Sequence, residues 1–166
     1  MAEMFLDLKD VNGETLDAEF SSKNAIEIQQ WSWKASNNVR WDINQGGQAT
    51  KASIEWIELQ KWCDKASPTL HQCCITGKHI KSGKITCRKK DGDAKFTYMV
   101  LDLTDIMVNH FRWEGNGEEQ SLREVVQLSF AEYNISYKLQ ADSGNPQGSS
   151  DFGFNIQKQA GGGGQG

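Results

Sequence analysis

Four cysteines and three histidines are the residues that could do chemistry in this chain. Metal binding or thiol nucleophilicity would be that chemistry. Cys63, Cys73, Cys74 and Cys87 show no C-x-x-C spacing, and the neighbours Cys73 and Cys74 cannot face the same way on a helix. His71 and Cys74 are three apart and could share a helix face. The pair reads as a small apolar Cys beside a surface His, with its thiol reduced where the protein is made. The segment from Gly77 to Lys84 is no phosphate loop. Its glycines are spaced wrongly, and Ile85 stands where a magnesium-holding Ser or Thr belongs. Asn134-Ile135-Ser136 is a glycosylation sequon only in form, since it lies in a strand-like run. The carboxylates are scattered, and no pair is placed for acid–base work. We expect no catalytic residue, no metal and no cofactor.

Composition narrows the classes further. At 166 residues the chain suits one domain, with 1–158 as that domain and 159–166 as a flexible Gly-rich tail. Mean hydropathy is -0.63. No run approaches the ~20 apolar residues of a membrane-spanning helix, so membrane insertion is not expected. Net charge -4 and pI near 5.4 argue against nucleic acid as a partner. The basic cluster from Lys84 to Lys90 reads as a solvated strand and turn. The start, Met1 to Asp7, lacks a basic region followed by an apolar core, so it is not a signal peptide. If the protein leaves the cell, it does so by another route. Six Trp and two Pro suit a packed β core or buried subunit contacts.

One helix is legible. Ser67 is expected to cap it, Pro68 to take its first position, and Leu70, Cys73 and Cys74 to line one stripe before Gly77 stops it. Nearly everything else reads as strand: Phe5–Leu8, Ile26–Trp33, Ser53–Trp62, Lys84–Arg88, Phe96–Leu103, Ile106–Trp113, Glu124–Leu139 and Phe152–Ile156. Asp91-Gly92 is expected as a two-residue hairpin turn, and Ser143–Pro146 as a loop. In Ile26–Trp33, and again near Ala131, the apolar parity flips, which predicts bends that move the buried face across the strand. The polar stretch from Asn37 to Lys51, with Trp41, Gly46 and Gly47, reads as a long functional loop. The expected fold is a mainly β barrel or sandwich with the helix packed against it. Its long strands leave open edges, and pairing with copies of itself would satisfy them, as a ring or a stacked tube.

Phe5-Leu6-Asp7-Leu8 with Val11-x-Gly13-Glu14, Trp31-Ser32-Trp33, Asp64-Lys65-Ala66-Ser67-Pro68-x-Leu70, Thr76-Gly77-Lys78-His79 and Leu128-Ser129-Phe130-Ala131 occur in this order. Together they resemble the Hcp (haemolysin-coregulated protein) family of bacterial type VI secretion, from about Met4 to Lys158. Leu59-Gln60-Lys61-Trp62 departs from the Phe-x-Lys-Tyr often found before the helix. The resemblance implies a β-barrel of two antiparallel sheets with one flanking α-helix, like a phage tail tube. It implies homohexameric rings that stack into a tube, under a tip spike protein and inside a contractile sheath. That tube is expelled with small effector proteins in its lumen. The subunit would be made in the bacterial cytoplasm and secreted without a signal peptide. Gln30, Ser32 and Lys34 are the candidates for the lumen face that touches cargo, and Trp41, Gly46 and Gly47 for the ring or subunit contact. The alternative is a monomeric β-barrel holding a small ligand, although the abundant Trp and Phe would fill such an interior.

Overall fold

The computed structural model describes residues 2–140, 146–158 and 160–164. Thirteen strands, one 3₁₀ turn and one α-helix make it up, and every strand pair is antiparallel. The strands are β1 (Ala2–Leu8), β2 (Ile26–Glu27), β3 (Gln30–Ser32), β4 (Ala35–Ser36), β5 (Val39–Asp42), β6 (Gly46–Ala49), β7 (Ser53–Ile54), β8 (Ile57–Trp62), β9 (Ile80–Asp91), β10 (Ala94–Glu114), β11 (Arg123–Gln140), β12 (Pro146–Asn155) and β13 (Ala160–Gly164). Helix α1 spans Ser67–Thr76.

The main sheet curls into a barrel because two of its strands serve two neighbours. The order β11-β10-β9-β1-β2 is continued by the chain itself into β3, which pairs with β8, and β8 pairs with β11. The switch lies at Ile28 and Gln29. The Ile28 N–H bonds Met4 O on β1, and the next N–H bonds Gln60 O on β8. This is the bend that the parity flip in Ile26–Trp33 predicts. β11 pairs with β8 along Arg123–Leu128 and with β12 from Glu132 onward, while β10 flanks it throughout. Its buried side changes from Leu128 and Phe130 to Tyr133 across the same gap, at the expected place. β10 bends at that level too. The segments expected as Phe96–Leu103 and Ile106–Trp113 are one strand, folded at Asp105 (φ 53°) and keeping both Leu103 and Ile106 buried. β9 crosses the same line at Gly83, where an added Cβ would sit 2.7 Å from Ile106 Cδ1 and Leu8 Cδ2. The bend leaves no room there for a side chain.

Side chains fill the interior: Leu6, Ile26, Ile57, Leu59, Leu101 and Leu128 are fully buried within one cluster. Trp33 packs edge-on against Tyr133 and Phe130.

The helix begins differently from expectation. Ser67 is its first residue and not its cap; the hydroxyl accepts from Asp64 N–H and from Lys61 Nζ. No side chain caps the first turn; Asp64 Oδ1 instead accepts the N–H of Ala66, the residue just before the helix, at 2.9 Å. Gly77 ends the helix as expected, at φ 67°, donating to Cys73 O. Lys61 Nζ is buried under this turn, between Asp64 Oδ1 (2.8 Å), Glu124 Oε1 (3.0 Å), Ser67 Oγ (3.1 Å) and Trp62 O (3.0 Å). The other oxygen of Glu124 accepts the Trp113 indole N–H at 2.8 Å. One ammonium thereby joins β8, β11 and the helix start.

Four further expectations change. The basic run on β9 is not wholly solvated, because Arg88 is 1% exposed. Its guanidinium bonds Glu3, Asp17 and Glu19 and lies against the stacked rings of Phe5 and Phe20. That grip pins residues 12–25 over the outer face of β1 and β9. The β9–β10 turn is one residue later than expected: Asp91 pairs with Ala94, so Gly92 (φ 58°) and Asp93 form the loop. The stretch from Asn37 to Lys51 is not a loop but a hairpin of β5 and β6. Residues 160–164, expected within a flexible tail, add β13 to the β12 edge, where main-chain groups need partners. The loop expected at Ser143–Pro146 falls mostly outside the described residues.

Two outcomes test these ion clusters. Lys61→Met strands a buried Glu124 and should lower unfolding free energy by about 3–5 kcal/mol in urea titrations, while Lys61→Met/Glu124→Gln recovers part of the loss because no charge is left unpaired. The hydrogen bond from Arg88 above all holds the Asp17 carboxyl well below the usual carboxylate range, helped by Lys95 and the Glu19 and Phe20 amides and opposed by burial. A depressed folded-state pKa contributes stability that is complete above the unfolded value of about 3.9 and fades as pH falls below it. The parent protein's urea midpoint should fall between about pH 5 and about pH 2, and Asp17→Asn should flatten that fall.

Candidate functional site

Among the described residues, no three His, Cys, Asp or Glu side chains converge as metal ligands. His71 is absorbed in aromatic packing, stacked on Trp113 at 5.7 Å and edge-on to Phe111. Cys73 and Cys87 are buried, and burial pushes both thiols up, away from the reactive thiolate. The cleft beside the helix start, about 430 Å³, is lined by Leu16, Trp62, Glu14, Glu27 and Asp64. Two of its three carboxylates are engaged: Thr15 donates to Glu27, and Lys61 and Ala66 donate to Asp64. What remains to act with is surface.

Two surfaces carry the residues singled out from sequence. The first is the outer wall made by β3, β8, β11 and β10. Gln30, Ser32 and Lys34 are exposed on it, while Trp31 and Trp33 turn to the core. The Trp33 indole N–H donates to Glu55 O at 2.9 Å, which fixes this alternation. Ser32 lies opposite Glu58 and Gln30 opposite Gln60. A chain of polar contacts runs on from there: Gln127 to Glu58 at 2.9 Å, Asn109 to Gln127 at 3.3 Å, and Ser129 to Asn109 at 3.1 Å. Lys34 pairs with Glu55 at 3.4 Å. The wall is hydrogen-bonding, with its Lys34 paired to a carboxylate.

The second surface is the arm that continues β3 and β8 through β4 and β7 into the β5–β6 hairpin. Trp41 is 82% exposed there, with Val39 and Ile43 exposed beside it. Trp41 lies across from Gly47, and a Cβ on Gly47 would stand 2.9 Å from the indole ring. Gly47 thus makes the bed for Trp41, and Gly46 (φ 75°) turns the chain into it. Structure brings these three expected residues together. Sequence reading missed Val39 and Ile43, although the alternation Val39-Arg40-Trp41-Asp42 was the available signal. It also missed Lys61 and Arg88, whose burial no periodicity announces.

Residues 5–137 match the family model described as "Type VI secretion system effector, Hcp". The chain belongs to the Hcp family of type VI secretion. It is 32% identical over 157 residues to Protein hcp1 of Pseudomonas aeruginosa, covering 94% of this chain and 96% of that one. Among solved structures, Hcp1 from Salmonella typhimurium superposes with a TM-score of 0.75 at 25% identity, covering 96% and 98% of the two chains. A type VI secretion system effector from Yersinia pestis gives 0.74 at 26% identity, over 92% and 99%. The fold alone is shared still more closely with a type six secretion system protein, at a TM-score of 0.90 and 22% identity over 97% and 99%. As an Hcp-family protein the chain is a type VI secretion effector or tube protein, in line with the resemblance read from its motifs.

The two sides of β3 should respond oppositely to substitution. Ser32→Trp stays within about 0.5 kcal/mol of the parent because the position is solvated, whereas Trp33→Ala costs about 3 kcal/mol through lost packing against Phe130 and Tyr133. Urea midpoints of the two variants measure both.

Proposed function

We propose that this Hcp-family chain is a self-associating, non-enzymatic tube subunit. Copies close into hexameric rings, and the rings stack into a tube under a tip spike and inside a contractile sheath. Sheath contraction drives the preformed tube out of the cell, with small effector proteins held in its lumen. The subunit is made in the cytoplasm and leaves with the tube. The observation that carries this reading is the exposed apolar hairpin tip of Val39, Trp41 and Ile43. An indole that exposed belongs to a surface awaiting a partner. Within this reading Trp41, Gly46 and Gly47 form the ring or subunit contact. The wall of Gln30, Ser32 and Lys34 lines the lumen, where hydrogen-bonding groups hold a folded cargo without gripping it apolarly.

Electron microscopy of purified protein should show rings with a central hole. Trp41→Ala should raise the protein concentration needed for assembly by about tenfold or more, as loss of an aromatic anchor does at other interfaces. Ser32→Trp should leave rings intact yet lower the yield of co-purifying effector. Solitary particles at every concentration would sink the assignment.

A further inference from the structure

The sequence holds two Asn-Gly dipeptides, Asn12-Gly13 and Asn116-Gly117. An asparagine followed by glycine is open to attack by the main chain on its own side chain, because glycine has no Cβ to hinder the approach. The fold places the two sites differently. Gly13 is buried, and its N–H donates to Asn24 O at 2.7 Å. An added Cβ there would stand 2.4 Å from Ala25 O, so the main chain is pressed against its neighbour. The Arg88 cluster holds this segment down through Asp17 and Glu19. Asn116 and Gly117, by contrast, are exposed in the turn between β10 and β11. Asn116 O accepts the Glu119 N–H at 3.1 Å, and Asn116 Oδ1 accepts the Glu118 N–H at 3.1 Å. The second bond folds the carboxamide back along the peptide that follows it. Among the described residues no group accepts the Gly117 N–H, and nothing lies within 4 Å of where its Cβ would be.

We propose that Asn116-Gly117 is a self-modification site, where the chain converts its own asparagine to an aspartyl or isoaspartyl link while the fold protects Asn12-Gly13. The Gly117 nitrogen gives its proton to hydroxide or water and attacks Asn116 Cγ. The N–Cγ bond forms, the Cγ–Nδ2 bond breaks, and Nδ2 leaves as ammonia with a proton returned from solvent. Water then opens the succinimide. Cleavage at one carbonyl restores the ordinary main chain and leaves a side-chain carboxylate; cleavage at the other routes the main chain through Cβ. Nothing is oxidised or reduced, and water is the one co-reactant. Either product adds a negative charge to a turn that already carries Glu114, Glu118 and Glu119, and the isoaspartyl product also lengthens the turn by one carbon. The change is one-way and needs no enzyme, so it records the age of a subunit in its charge. At Asn12 the same attack must wait for the segment to open, since the Gly13 nitrogen is already donating and out of water.

The test incubates the full chain in mildly alkaline buffer, folded in one arm and unfolded in urea in the other. Peptide mass spectrometry follows the gain of about one dalton at each asparagine. In the folded arm Asn116 should convert roughly tenfold or more faster than Asn12, because the protected site reacts only from its open form. In urea the two rates should converge. Gly117→Ala puts a methyl group into open space. It should leave the urea midpoint unchanged yet cut conversion at Asn116 to a small fraction, as a Cβ beside the attacking nitrogen hinders ring closure. Asn116→Asp marks where the aspartyl product runs on an anion-exchange column. Equal rates in the folded protein overturn the proposal. So does a difference between the sites that persists in urea, since it would then owe nothing to the fold, and so does a Gly117→Ala chain that converts as fast as the parent.

Discussion

A buried ammonium fixes the geometry of this barrel. Lys61 Nζ is buried, so its three protons are shared among four acceptors, Glu124, Asp64, Ser67 and the Trp62 carbonyl. Each acceptor comes from a different place: the start of β11, the turn before the helix, the first helical residue and the end of β8. Only one placement of α1 against the barrel meets all of them together. Such a cluster is a poor source of net stability, because taking both charges out of water costs nearly what their attraction returns. Its use is discrimination. A helix shifted by one residue would strand an ion in a dry site, and apolar packing of Leu70 and Cys73 alone would not forbid that shift.

The same logic acts at the other ion cluster, on the outside of the barrel. Arg88 gathers Glu3, Asp17 and Glu19 and holds residues 12–25 down over the β1–β9 wall, with Phe20 stacked on Phe5. Without that strap, Phe5 and Thr86 would face solvent. The barrel is thus closed by backbone continuity at Ile28 and Gln29, braced at the helix by Lys61, and sheathed on one flank through Arg88. Each device sits where strand pairing alone leaves the geometry underdetermined.

Much of this was legible in the chain before any coordinates. Alternation announced the strands, and the two parity flips marked the places where one strand passes from wall to wall. Tryptophans on one parity of β3 placed Gln30, Ser32 and Lys34 outside. The misses have a common cause. Arg88 and Ser67 were read by residue type, as a solvated charge and a routine cap, and Lys61 drew no structural reading at all, because burial of a charge depends on partners distant in sequence: Glu124 for Lys61, Glu3 and Asp17 for Arg88. The hairpin of β5 and β6 was hidden by its glycines, which score as loop although here they make the bed for Trp41. The break expected between Leu103 and Ile106 was a true bend, but one that Asp105 accommodates without ending the strand.

Exposed apolar surface is not spread evenly over the subunit. Among the exposed large apolar residues, two trios stand out beside Leu16, Trp56, Trp62, Ile75, Trp113 and Leu122: Trp41, Val39 and Ile43 on the arm, and Phe152, Tyr137 and Leu139 on the β12 wing. They are grouped, and each group lies at an extremity of the sheet. A monomer gains nothing from an indole held over a glycine in open water, yet the sequence spends Gly46 and Gly47 to hold it there. The wing repeats the pattern with Phe152 facing Gly163. In both places small residues present a large ring instead of burying it, an arrangement whose free-energy return comes only when a neighbour arrives.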